Sequence, residues 1–421
     1  MRIAWIGPMP NNDGGAKGVG RMILLELAKQ GIEVDCYFPG KPADLPKELV
    51  REEKLKIYCQ PSNWEWNRWY SRSNFMKFLT GQLANLKCEV KLAKLLVEQH
   101  QRNPYDLVYQ FSHIEIHALK KYKKKLPPIV IHPSVHAAGE LRWHRKEAHL
   151  SRQSEPLFKQ IAVRLLLMTR SYVQRRHIRV ANHVLSLSEN FAKEMTQDYR
   201  LSPMKKMYYV PNPIDLERYH PNPNAIKYDA DGRMTFLFVS RIAVRKGVEM
   251  MVELSHRLSD MKDQIHILIV GNHSLWSDYR GLLRQLNTDV GTYVGKLTGN
   301  KMNSIYHAVD ALIQPSHYEP FGLTVGEALA SGRPVIASDK VGAAEGVDER
   351  CCRTFTAGDM DQLEQCVRKL YADLNSTQAI EIATLARSEA VRLYSNPVVV
   401  SHLVSILHEI AGASEVACAR E

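Results

Sequence analysis

The chain has 421 residues, of which 45% are hydrophobic and 24% charged, with seven cysteines and a formal net charge of +11. That length calls for two or three domains, and the composition is that of a soluble globular protein. No apolar run reaches the roughly 18 residues of a membrane-spanning helix, and no CxxC pair or Cys/His spacing suggests zinc. Scattered, odd-numbered cysteines fit reduced thiols in a cytoplasmic protein. The charge is uneven: residues 1–210 hold 35 Lys and Arg against 19 Asp and Glu, and the remainder hold 21 against 26. The first half therefore favours an anionic partner: a phosphate-bearing acceptor, an anionic membrane surface or nucleic acid.

Arg2 to Ile6 reads as a first strand rather than the core of a signal peptide, and Asn11 to Arg21 as a glycine-rich loop. Val19 to Gln30 is an amphipathic helix and Glu33 to Phe38 a second strand, which together make a βαβ unit of the doubly wound kind. The glycines do not spell GxGxxG. Gly14, Gly15 and Gly18 either let a backbone approach a ligand closely or form a plain turn. Residues 60–80, from Ser62 to Tyr70 and on, form an irregular aromatic and basic segment that suits a core edge, an acceptor contact or a membrane contact.

Leu83 to Gln101 reads as a helix, Tyr105 to Tyr109 as a strand, and Lys120 to Lys125 as a basic run suited to a solvated helix end or to anionic lipid. Pro128 to Ile131 is the next strand, and His136 follows its carboxyl end, where α/β sheets place ligands. Glu155 to Val180 is a long basic helix whose apolar residues fit either a core or a membrane surface. Ala181 to Leu187 closes the half as its last strand.

Met207 to Asp215 is a strand entering a proline-rich turn, and a hinge-like linker runs on to Gly232. A second α/β unit begins with the strand Met234 to Ser240 and the helix Gly247 to Ser259. Arg241 and Lys246 lie between them, where two cations suit a diphosphate. The strand Ile265 to Val270, a helix over Leu275 to Leu286, a short strand at Thr292 to Val294 and a helix over Lys301 to His307 follow. Ala308 to Ile313 then leads into Gln314-Pro-Ser-His-Tyr-Glu-Pro-Phe-Gly-Leu-Thr-Val-Gly-Glu327. Phe321, Gly322 and Leu323 open a helix there, with free N–H groups that suit an anion. Glu319 and Glu327 flank it as acceptors for hydroxyls. Helices near Asp359–Ala372, Thr377–Leu393 and Val398–Ile410 end the chain.

Cations and helix N–H groups select a diphosphate, and glutamates select hydroxyls. A ligand with both is a nucleotide sugar. No Asp-x-Asp stands at a strand end to hold a divalent metal, so metal independence is expected.

At these residues the chain resembles the retaining glycosyltransferases of family 4, which have the GT-B fold. The run Glu319-Pro-Phe-Gly-Leu-x-x-x-Glu327 carries the resemblance, with Val239 to Gly247, Val210-Pro-Asn-Pro-Ile-Asp215, Asp13-Gly-Gly15 and Val135-His136. It departs from the family at Pro213, at Gly271-Asn-His-Ser and after His136. The resemblance implies two Rossmann-like doubly wound domains facing a central cleft. Residues 1–205 would bind the acceptor, 206–395 the nucleotide sugar, and 396–421 would form a helix packing back on the first domain. It further implies that Glu319 holds the donor sugar hydroxyls and that Glu327 binds the ribose. Phe321, Gly322 and Leu323 would supply backbone contacts, Arg241 and Lys246 would offset the leaving diphosphate, Gly14 and Gly15 would approach the donor, and His136 would assist at it.

The expected activity is transfer of a hexose-type sugar from a UDP- or GDP-linked donor to an acceptor hydroxyl. No cofactor, metal or nucleic acid is expected. The acceptor would be phosphate-bearing or lipid-linked, with peripheral membrane contact through the basic half. Two alternatives stay open: another GT-B nucleotide-sugar enzyme, such as a 2-epimerase or sugar-phosphate synthase, and a non-catalytic anion-binding module.

Overall fold

The computed structural model describes residues 1–12, 14–61, 74–202, 206–229, 232–273, 278–297 and 300–418. The aromatic segment Ser62 to Tyr70 and Asp13 lie outside them. Two all-parallel sheets organise the chain. The first contains β1 (Arg2–Ile6), β2 (Glu33–Pro39), β3 (Leu55–Gln60), β4 (Leu107–Ser112), β5 (Ile129–Pro133), β6 (His183–Ser186) and β7 (Met207–Tyr209), in the spatial order β3-β2-β1-β4-β5-β6-β7. The second contains β8 (Met234–Val239), β9 (Ile265–Val270), β10 (Gly291–Tyr293), β11 (Ala311–Gln314), β12 (Val335–Ser338) and β13 (Cys352–Phe355), in the order β10-β9-β8-β11-β12-β13.

Each order reverses direction beside its first strand, and in doubly wound sheets ligands bind at that switch, outside the carboxyl ends. The central strands are continuous apolar runs because helices cover both faces. Every residue of β4, β9, β11 and β12 is buried. In β1, Trp5 pairs in register with Cys36 on one side and Tyr109 on the other, and its ring stacks on Tyr109 at 4.7 Å.

The first sheet ends on β7, so its last strand falls just past the expected division at 205/206. The helix expected over Leu275 to Leu286 is, among the described residues, a 3-10 turn, Arg280–Gln285. The helix expected from Leu83 begins earlier and spans Asn74–Arg102. The edge strands β3 and β13 and the helices Ala137–Lys146 and Glu189–Tyr199 carry no separate expectation. The last helix, Asn396–Cys418, crosses back to the first half. Val399, Val400, Leu403 and Leu407 share a core with Ile23, Leu24 and Leu27 of the helix Ala16–Lys29. Asn396 Nδ2 donates to Met22 O at 3.1 Å.

Candidate active site

The cation loop and the glutamate motif belong to one assembly. After β8 the chain makes a 3-10 turn, Val244–Lys246, and enters the helix Val248–Arg257 through Gly247 at φ +78°. A Cβ at Gly247 would come within 2.2 Å of Pro315 O. Glycine is therefore required by the close approach of the two loops as well as by its left-handed backbone. Arg245 O accepts from His317 N at 2.9 Å and Tyr318 N at 3.3 Å.

This stitching delivers Lys246 to Glu319. Lys246 Nζ donates to Glu319 Oε2, with only 9% and 16% of the two side chains exposed. Burial pushes the Lys246 ammonium well below its usual range, and the Arg245 and Arg241 guanidiniums push the same way. Contact with the Glu319 carboxylate acts against them, since an opposite charge favours the ionised form. A bound anion would do so more strongly. Arg241 itself is exposed.

Gly322, at φ +100°, opens the helix Leu323–Ala330. A Cβ there would meet Val341 Cγ1 at 3.0 Å and Glu319 Cγ at 3.2 Å. Phe321, Gly322 and Leu323 donate their N–H groups to no acceptor among the described residues. The Phe321 side chain is buried, edge-on against Tyr394 at 5.4 Å.

One turn on, Glu327 and Leu323 line a small cleft pocket of about 40 Å³ with Gly14, Gly15, Asp215 and Arg218. The amino-terminal glycines and the second glutamate thus come from opposite domains to one pocket. A Cβ at Gly14 or Gly15 would meet nothing within 4 Å. The open backbone faces space rather than protein. Glu327 Oε2 accepts from Tyr306 Oη at 2.6 Å. Burial raises the Glu327 carboxyl, and hydrogen bonds from Tyr306 and Tyr219 and the Arg218 charge partly offset the rise. Arg21 reaches Asp215 across the cleft at 3.8 Å.

His136 lies elsewhere. It is the residue before the helix Ala137–Lys146 and has no exposed surface. Its Nε2 is 2.7 Å from Asp198 Oδ2 and its Nδ1 is 2.7 Å from Tyr318 Oη. An ionised carboxylate only accepts, so Nε2 donates to Asp198, while Nδ1 is hydrogen-bonded to the tyrosine hydroxyl. Burial alone would raise the Asp198 carboxyl, but the hydrogen bond from His136 and the Arg142 guanidinium hold it below the ordinary value. His136 thus bonds the first domain to the residue next to Glu319. Two further contacts close the same seam. The Trp143 ring stacks on His317 at 4.8 Å, and Glu345 accepts from Glu189 N at 2.7 Å and Asn190 N at 2.9 Å.

Tyr318, Asp198, Tyr306 and Arg218 are not among the site residues expected from the sequence. Tyr318 stood inside the motif stretch and was open to notice. The others carry no local pattern. Among the described residues no cluster of three or more His, Cys, Asp or Glu could hold a metal, and no helix is long and apolar enough to cross a membrane.

Two family models match the chain: Glycosyltransferase Family 4 over residues 14–218 and Glycosyl transferases group 1 over residues 233–373. The chain is 24% identical to an MMP alpha-(1->4)-mannosyltransferase of Mycolicibacterium hassiacum, over 99% of this chain and 100% of that one. Its fold is similar to that of a sucrose-phosphate synthase from Thermosynechococcus elongatus, with a TM-score of 0.69 at 18% identity and coverage of 98% and 99%. It is similar also to Anabaena HepE solved in complex with UDP, with a TM-score of 0.64 at 17% identity and coverage of 97% and 100%. With its two parallel sheets and the cleft between them, the chain belongs to the family 4 glycosyltransferases of the GT-B fold and is a transferase.

Proposed function

We propose that the enzyme moves a hexose-type sugar, with retention, from a UDP- or GDP-linked donor to a hydroxyl of a phosphate-bearing or lipid-linked acceptor. The observation that carries this reading is the buried Lys246–Glu319 pair beside the free N–H groups of Phe321 to Leu323. A ligand that joins a diphosphate to a sugar satisfies both. Support for the donor comes from the UDP complex of the HepE neighbour. Support for the acceptor comes from the cationic surplus of the first half and from the sucrose-phosphate synthase neighbour.

In this reading residues 206–395 hold the donor and the first domain presents the acceptor. Glu327 takes the ribose hydroxyls, Gly14 and Gly15 approach the diphosphate, and Glu319 orients the sugar. The bond from the anomeric carbon to the diphosphate oxygen breaks, and the acceptor oxygen bonds to that carbon from the same face. The acceptor proton passes to the leaving phosphate oxygen. Arg241, Lys246 and the helix N–H groups stabilise the charge that develops there, as preorganised donors. They take the part a divalent metal would otherwise play. His136 acts through Tyr318 as a positioning residue for Glu319. This reading includes a cytoplasmic setting, supported by unpaired thiols such as Cys36 and Cys352.

The test is thermal melting with UDP-, GDP- and ADP-sugars, with and without a chelator. A donor present in large excess over its Kd raises the melting temperature, since it binds only the folded chain. A folded sample stabilised by none of them overturns the reading. Donor turnover with no acceptor consumed would redirect it to an epimerase.

A further inference from the structure

The helix Leu157–Val180 is apolar on two opposite faces. On one, Val163 and Leu167 are buried against Ala137 and Leu141 of the helix Ala137–Lys146. The other carries Leu157, Phe158, Ile161, Leu165, Met168 and Tyr172, all exposed, from 45% at Met168 to 75% at Phe158. At about 100° per residue these six fall in a stripe roughly 100° wide and about 22 Å long. A contiguous apolar stripe in water marks an interaction surface.

The charges around it select the partner. No Asp or Glu occurs between Glu155 and Glu189, while the helix carries Lys159, Arg164, Arg170, Arg175, Arg176 and Arg179. Arg170 is taken up by Glu115 at 2.9 Å. Arg176 lies over the Tyr172 ring at 4.5 Å, at the end of the stripe. Lys123 Nζ donates to Val180 O, which brings the exposed lysines 120, 121, 123, 124 and 125 to the same end. The helix therefore carries leucine and phenylalanine, then tyrosine, and ends beside a block of cations. A second copy laid on it would bring no carboxylate from the same face to meet these cations. Apolar and aromatic side chains rimmed by Lys and Arg, with the two nearby carboxylates, Glu115 and Glu155, already paired to Arg170 and Lys159, match the boundary between headgroups and acyl chains.

We propose that this helix face docks the enzyme on an anionic lipid bilayer. The six apolar side chains enter the headgroup boundary, and the lysine run lies on the lipid phosphates. The same helix packs on the one that follows His136, so the membrane sits one helix layer from the cleft. The proposal goes beyond the transfer reaction and is independent of which donor is used.

The test is co-sedimentation of the full chain with phosphatidylcholine vesicles, with and without phosphatidylglycerol. The expected result is binding to the anionic vesicles only, released by salt. Phe158→Glu with Leu165→Glu should lower that binding at least tenfold, and so should Lys120→Gln, Lys121→Gln and Lys124→Gln together. The substituted residues are exposed, and the melting temperature with and without donor reports separately on folding and on the donor site. The proposal is overturned by equal binding to neutral vesicles, by no binding, or by variants that bind like the native chain. It is overturned too by a dimer that the Phe158 and Leu165 changes dissolve in a chain that ignores vesicles.

Discussion

Removing Lys246 and Glu319 singly and together separates structure from chemistry at the centre of the site. The side chains are 9% and 16% exposed, so each shields the other's charge from loss of water. Lys246→Met leaves a carboxylate with no partner in a site nearly closed to water. Breaking a buried pair in this way costs about 3–5 kcal/mol. Glu319→Gln should cost less, below about 3 kcal/mol, because Lys246 can shed its proton. Burial and the two neighbouring guanidiniums already push it in that direction. The double variant keeps the volume and has no stranded charge, so it should lie within about 1.5 kcal/mol of the native chain. Turnover should behave oppositely. Each single change should lower kcat by roughly 10²–10³, as losing one preorganised donor does, and the double variant should not recover it. The assay pairs melting temperature with donor turnover on the same four proteins. A double variant that is both stable and active would refute the argument, since the pair would then be structural only.

Three further outcomes follow from the same geometry. Burial and the Glu249 carboxylate push the Glu147 carboxyl up to about 8, against relief from Arg245 and Tyr279. The folded chain then holds a proton that the unfolded chain has released, so stability is full at low pH and falls as pH rises from about 5 to about 8. Glu147→Gln should flatten that slope and raise the melting temperature near pH 8, and a native profile without the slope would count against the assignment. Tyr318→Phe strands a ring nitrogen of His136, which should cost about 1–3 kcal/mol of stability. It should also lower kcat with little change in donor KM, and steady-state kinetics showing the reverse split would contradict a positioning role. Glu327→Ala should weaken donor binding by a factor of roughly 10–100, the worth of a charged hydrogen bond. Calorimetry finding unchanged affinity would remove Glu327 from the ribose.

The parts of the fold that were legible are those written in one contiguous run. Strands β1 and β9 stand as apolar runs between turns, and the motif from Gln314 to Glu327 carries strand end, loop and helix start together. β3 and β13 escaped notice because they are edge strands whose apolar runs are broken by the exposed Lys56 and Thr354. The helix Glu189–Tyr199 is announced only by its cap, Ser188, which accepts from Phe191 N. The second domain's half of the site was readable for the same reason as its motif. The seam was not: His136 finds Asp198 62 residues away and Tyr318 182 residues away. No local pattern encodes pairings of that separation. The helix Leu157–Val180 was ambiguous for a physical cause. Its two apolar faces answer both the core template and the membrane template.

Gly247 has a consequence for how the enzyme can change. Its missing side chain admits Pro315, and the next-door carbonyl of Arg245 clamps His317 and Tyr318. The loop that reads charge and the loop that reads hydroxyls are therefore one mechanical part. They must travel together when the cleft breathes, so a donor meets both or neither. They must also drift together over descent. A substitution that tilts the cation turn also retunes the sugar's seat, and new donor preference should arise from paired changes across this junction rather than from either loop alone.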